Sequence, residues 1–280
     1  MVTVRKDAAI YIGWDVGGWN CDKNNKSRDA LVILDGNRRL LGQPWRGNLR
    51  HSINEAKNTQ QWLESLLTLC QVEQGSIAQL PLTEVVLAID TPLGFSQPFQ
   101  QLLAGQAVEQ PIGSSAHNPY LFRQTEHFLY RNGLTPLSAI KDMIGSQATK
   151  GMHVLAKFAP QVVSTGVWSD GNNLTAIEAY PAASKTSAII AELLQPYVYA
   201  WEALQEPATT IWEGAHFVEG IDHEDKRDAL LCAFIAWLQR NKPEALAQPD
   251  DTVPPSEGWI YVPQDALNGG MGVIELTESE

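Results

Sequence analysis

Cysteine is scarce in this chain: Cys21, Cys70 and Cys232 are all it has in 280 residues. Their odd number and wide spacing leave no C-x-x-C pair, which excludes a disulfide framework and a zinc knuckle and fits a reducing cytoplasm. Basic residues are also few, with 20 Lys and Arg against 32 Asp and Glu for a net charge of -12. A sequence-independent nucleic-acid binder draws affinity from cations that neutralise phosphates. No long basic stripe is present, so any nucleic-acid role has to rest on local cations and bound metal. No apolar run is long enough to span a bilayer, and no membrane partner is expected. The N-terminal MVTVRKDAAIYIGWDV sets basic residues before an apolar stretch, but Asp15 interrupts it and no small-residue cleavage pattern follows. That argues against a targeting signal. With 44% hydrophobic and 19% charged residues the composition is that of an ordinary globule. The length suits one α/β domain over residues 1–280.

What the chain does have is three apolar runs that each end on a carboxylate: IYIGWDVGG at Asp15, VVLAIDTP at Asp90 and LTAIEAYP at Glu178. Side chains alternate along a strand, so Asp15 shares a face with Gly13 and Gly17, Asp90 with Ala88, and Glu178 with Ala176. Each acid has a small neighbour. A carboxylate on a buried strand costs several kcal/mol unless it is paired or binds a cation. Small neighbours leave room for that partner, which on this pattern is a metal, a phosphate or an arginine.

Strands are predicted at about 8–16, 30–35, 38–44 and 84–90, the second and third joined by the turn-forming Asp35-Gly36-Asn37. Ser52 and Glu55 have the spacing of a capping box, and Trp62, Leu63, Leu66, Leu67 and Cys70 then recur at helical period. The resulting order is β-β-β-α-β. Residues 96–160 read mostly as a helical insertion, Asp170-Gly171-Asn172-Asn173 as a second hairpin turn, and 183–205 as helical. A long helix is predicted at about 223–239, a short strand at Trp259 to Val262, and a disordered acidic tail at 273–280.

The late helix supplies more acids. Asp225 and Asp228 are neighbours on one face, and Ala229, Ala233 and Ala236 make a slim surface for close packing on a sheet. Asp222, Glu224 and Asp225 stand where helix caps and first-turn acids are favoured, so capping competes with catalysis there. Asp228 lies deeper and is harder to explain as a cap.

Here the residues become recognisable. The β-β-β-α-β order, an acid on the first and fourth strands, and a late helix with D-x-x-D-A resemble the ribonuclease H-like superfamily. More narrowly, GWDVGG, AIDTPLGF, FRQTE, EAYPAAS, HEDKRDALLCA and EGWIYVP, in that order, resemble the family called domain of unknown function 429. Its members are described as predicted ribonuclease H-like nucleases. The resemblance implies Asp15, Asp90 and Asp228, with Asp225 as a further candidate, as ligands of Mg²⁺ or Mn²⁺, with Glu178 as a rim acid or a structural partner. Two such ions ~3.5 to 4 Å apart activate water and stabilise a leaving oxygen in phosphodiester hydrolysis. The implied partner is nucleic acid or a smaller phosphodiester.

In FRQTEHFLYRNG, Arg123 and Glu126 have helical spacing. The pattern alone reads as a solvated intrahelical ion pair, while the resemblance raises Arg123 as a phosphate clamp oriented by Glu126. Lys141, Lys150, Lys157 and Lys185 are candidates for a local basic patch that sequence cannot assemble. The 6 histidines show no H-x-x-x-H spacing, and most of the 9 tryptophans fall on apolar helical faces. Two alternatives stay open: an actin-like ATPase or phosphotransferase, since GWDVGG resembles its first phosphate loop, and a non-catalytic binding module.

Overall fold

A computed structural model describes residues 9–24, 27–202, 210 and 212–267. In chain order the elements are β1 (Ala9–Asp15), β2 (Asp29–Leu34), β3 (Trp45–Gly47), α1 (Arg50–Glu55), α2 (Thr59–Leu69), α3 (Gln74–Gln79), β4 (Glu84–Asp90), α4 (Gln97–Leu103), α5 (Gln124–Arg131) and α6 (Gly145–Phe158). Then come β5 (Gln161–Ser164), β6 (Val167–Ser169), β7 (Leu174–Ala179), α7 (Pro181–Ser184), α8 (Ala188–Leu194), β8 (Val198–Trp201), β9 (Ala215–Phe217), α9 (Glu224–Asn241) and β10 (Ile260–Tyr261). The main sheet is eight-stranded in the order β3-β2-β1-β4-β7-β6-β5, with β10 also pairing β7. β1, β4 and β7 run parallel, and β2 and β6 are antiparallel to their neighbours. The chain is therefore a mixed α/β protein, as expected.

Alternation along the strands sorts the core into two layers. Tyr11, Ala30, Val32, Val86 and Ala88 face α9, and Ile12, Trp14, Leu31, Leu87 and Ile89 face α2 and α6. α6 lies within the expected helical segment 96–160, and its Val154, Leu155 and Phe158 cover the sheet. The remainder of that segment is less helical than predicted, holding only α4, α5 and a single 3-10 turn. All three cysteines are free and buried. Trp62 is buried and stacks on Phe158 with ring centroids 4.8 Å apart, as a core residue should. Among the described residues no helix is long and apolar enough to cross a membrane.

Several elements differ from the sequence expectation. The turn at Asp35 forms, its Oδ1 accepting from the backbone N–H of Asn37 and Arg39 at 2.8 Å. The strand expected at 38–44 reduces to one bridge, Leu34 to Leu40. Gly42 turns the chain at φ 71° and Gln43 donates to the Cys70 carbonyl, so this stretch caps the end of α2 and rejoins the sheet only at β3. Ser52 and Glu55 belong to the separate helix α1; the cap of α2 is Asn58, whose side chain accepts from Gln61 N–H. The helical reading of 183–205 ends at α8, since β8 pairs with β9 in a second, two-stranded sheet. The tail at 273–280 lies outside the described residues.

Candidate functional site

The sheet brings the first two acids together. Asp15 and Asp90 are register partners at the ends of parallel β1 and β4, which sets their Cα atoms about 5 Å apart. Tyr11 and Gly13 on β1, and Val86 and Ala88 on β4, show that both carboxylates face the α9 side.

α9 then delivers the third. A Cβ on Gly13 would lie 1.9 Å from the Ala229 carbonyl oxygen and 2.4 Å from the Ala233 nitrogen, so the helix touches the strand backbone there. Only glycine permits that approach. Asp228, one residue before Ala229, consequently joins Asp15 and Asp90 in lining a pocket of about 320 Å³. Thr91, Gln147, Arg28 and Tyr180 line it too.

The three acids feel one another. Burial raises the Asp15 carboxyl well above the usual range, and the charges of Asp90 and Asp228 push it further. Burial does the same to Asp90, reinforced by Asp228 and Glu178. Asp228 is pushed up to about 6 by burial, with Lys185 opposing. Among the described residues, neither Asp15 nor Asp90 makes a side-chain hydrogen bond or ion pair. Asp228 Oδ1 is buried without a hydrogen bond, although Lys185 Nζ stands 3.2 Å away as an ion pair. The buried Thr91 hydroxyl also has no partner.

This donor set fits a hard divalent cation, which takes oxygen ligands and, for Mg²⁺, usually one or two carboxylates with water completing the shell. As positioned, however, no group of three or more His, Cys, Asp or Glu among the described residues is arranged to hold a metal ion. The expectation that three carboxylates stand at bridging distance is therefore not met: Asp15 and Asp90 are paired in register, while Asp228 leans on Lys185.

The other predicted residues have different partners. Asp225 lines the pocket, but Arg46 Nε donates to its Oδ2 at 2.7 Å. Glu178 follows Leu174 and Ala176 on the α6-facing side of β7, opposite Asp90. There Arg123 grips it through two hydrogen bonds of 2.8 and 2.7 Å, and Leu93 N–H adds a third of 2.9 Å. The structural-partner reading of Glu178 describes these hydrogen bonds, and Glu178 also lines the pocket with Asp15, Asp90 and Asp228, where the rim-acid reading puts it.

The phosphate-clamp expectation for Arg123 and Glu126 requires correction. Arg123 is 2% exposed, and its guanidinium donates twice to Glu126, twice to Glu178 and once to the Glu257 carbonyl. A guanidinium has five N–H donors, so none remains for a phosphate. Nor is the pair solvated, since Glu126 is 1% exposed.

Sequence reasoning missed Asp29. It starts β2 facing α6 and accepts from Trp14 Nε1 at 3.0 Å, Gly17 N–H at 2.9 Å, Leu49 N–H at 2.7 Å and Lys150 Nζ. Fully buried, it ties the loop after Asp15 to β2 and α6. The polar start of a short apolar run was its only sequence signal. The lysine patch does not assemble: Lys150 serves Asp29, Lys157 donates to the Ile53 carbonyl, Lys141 lies over Phe122, and Lys185 alone reaches the acids. Compared with known proteins, the chain matches no protein-family model, no curated protein and no solved structure.

Proposed function

We propose that this protein is a divalent-metal-dependent hydrolase of phosphodiester bonds, with a ribonuclease H-like fold of the kind found in the domain of unknown function 429 family. The observation that carries the reading is the register pairing of Asp15 with Asp90, two half-buried carboxylates with no protein cation bonded to either, beside Asp228. Strand order β3-β2-β1-β4-β7, with β2 antiparallel to β1, supports the fold reading. Six motifs in family order support the family reading; no family match does.

In this proposal Asp15 and Asp90 hold Mg²⁺ or Mn²⁺. Bound there, such an ion would supply activation of water and neutralisation of charge on the phosphate oxygens. Gly13 keeps α9 against β1 so that Asp228 adds its charge to the same pocket. Asp29 and Lys150 fix the loop at Gly17 and Gly18 from behind. Arg28 lines the same pocket. The acidic surface, with net charge -12, favours short or locally gripped substrates over long duplex tracts.

The test is incubation with Mg²⁺ or Mn²⁺ and single-stranded, duplex, hybrid and branched oligonucleotides at low salt, with small phosphodiesters and ATP as further arms. Cleavage lost in folded Asp15→Asn and Asp90→Asn, and reduced in Asp228→Asn, is the expected result. ATP turnover without cleavage moves the reading to the actin-like branch. No metal-dependent rise in melting temperature and no turnover of any arm removes the catalytic claim.

A further inference from the structure

We propose that Lys185 is a tethered cation that competes with the divalent ion for Asp228 and so holds down the metal affinity of the centre. This rests on the metal reading given above. Lys185 directly follows α7, and α7 begins two residues beyond the end of β7, so its backbone is anchored close to the end of the sheet. Its Nζ lies 3.2 Å from Asp228 Oδ1 and 3.8 Å from Glu224 Oε1, and 4.4 Å from the centre of the Trp212 ring. Ring and carboxylates thus grip the ammonium from two sides.

An ordinary surface ion pair would not be held so. The Lys185 side chain is 17% exposed and the Asp228 side chain 20%, and the Lys185 charge also reaches Asp90. With Lys185 on Asp228, the centre offers two carboxylates in register and a third that is already ion-paired, and no group of three among the described residues is set to hold an ion. Withdrawing the ammonium leaves Asp228 beside the pair with a buried oxygen that has no hydrogen bond. A divalent ion and an ammonium on one carboxylate repel each other, so Lys185 on Asp228 weakens any metal binding that recruits that residue. Lys185 is accordingly a positioning residue that acts through Asp228.

The experiment is Mn²⁺ titration of the whole protein by calorimetry and by the loss of the free-ion paramagnetic resonance signal, at low salt, for wild type, Lys185→Met and Lys185→Arg. Lys185→Met is expected to bind Mn²⁺ at least about tenfold more tightly, about 1.4 kcal/mol, and Lys185→Arg, which keeps the charge, to stay within about threefold of wild type. A stabilising salt bridge with no other role would lower the melting temperature of Lys185→Met and leave Mn²⁺ affinity unchanged; that result overturns the proposal. If Lys185→Met does not fold, Lys185→Gln takes its place with the same expectation. Mn²⁺ binding by neither wild type nor the neutral variants, or binding that persists in Asp15→Asn with Asp90→Asn, overturns the metal reading itself. Binding by the neutral variant but not by wild type supports the tether.

Discussion

One end of a single sheet carries acids on both faces, buried on one and half-buried on the other, and the two faces treat them oppositely. On the α6 side, Asp29 and Glu178 are raised first by burial, and the next influence on each is a cation that opposes it, Lys150 and Arg123. On the α9 side, Asp15 and Asp90 are also raised first by burial, but the next influence on each is another carboxylate that adds to it. Identical chemistry, a few ångströms apart, is completed on one face and left incomplete on the other. Burial alone therefore does not mark a site; burial without a counter-ion does. Asp228, opposed by Lys185, stands between the two conditions.

The sharpest way to break this comparison is to unpair the completed face. Arg123→Met strands Glu126 and Glu178 at 1% and 2% exposure. Removing one partner of a buried pair costs about 3 to 5 kcal/mol, to be read as a fall in the urea midpoint. The triple change with Glu126→Gln and Glu178→Gln should recover a good part of the loss, because no charge is then left buried. An equally unstable triple variant would mean that Arg123 acts through packing, and the contrast between the faces would fail.

The converse change belongs to the open face. The charges of Asp15 and Asp90, register partners on adjacent strands, repel, and two unit charges about 5 Å apart at an effective dielectric near 20 do so by about 3 kcal/mol, so metal-free Asp15→Asn should be more stable than wild type at neutral pH by about 1 to 3 kcal/mol. The pH dependence follows from the sign of the shifts. Asp15, Asp90 and Asp228 have folded values above the unfolded ones, so the folded state binds more protons. That contribution to stability is complete below about pH 4 and is lost as pH rises, through about 6 for Asp228. Metal-free melts should show a midpoint that falls across this window, less steeply in Asp228→Asn. Saturating Mn²⁺ should cancel the fall in wild type.

Much of this was legible in the sequence, and the failures have physical causes. The apolar runs ending at Asp15 and Asp90 gave β1 and β4, and Ala229, Ala233 and Ala236 gave the slim face that α9 sets against Gly13. Glu178 looked equivalent to them because each acid has a small residue two positions earlier. That test is blind to which face of the sheet a strand's odd or even positions occupy, and β7 enters with the opposite parity. Arg123 and Glu126 were one turn apart in sequence, but their third partner lies 55 residues on, out of reach of any local pattern. Lys185 and Asp29 met the same obstacle, since their partners come from α9 and α6.

The smallest expected effect tests where the open face ends. Arg46 on β3 pairs with Asp225 at 2.7 Å, both side chains about 15% exposed (15% and 14%). Asp225 also stands in the first turn of α9, where the helix N-terminus favours a negative charge. Arg46→Ala should then cost only about 1 kcal/mol, since Asp225 keeps that second source of stabilisation. Its charge still reaches Asp15, so Mn²⁺ binding should tighten slightly, by less than about threefold, well short of the change at Lys185. A tightening as large as that of Lys185→Met would enrol Asp225 among the ligands and Arg46 as a second tether. The boundary between completed and open acids would then run through the first turn of α9, on the far side of Asp225.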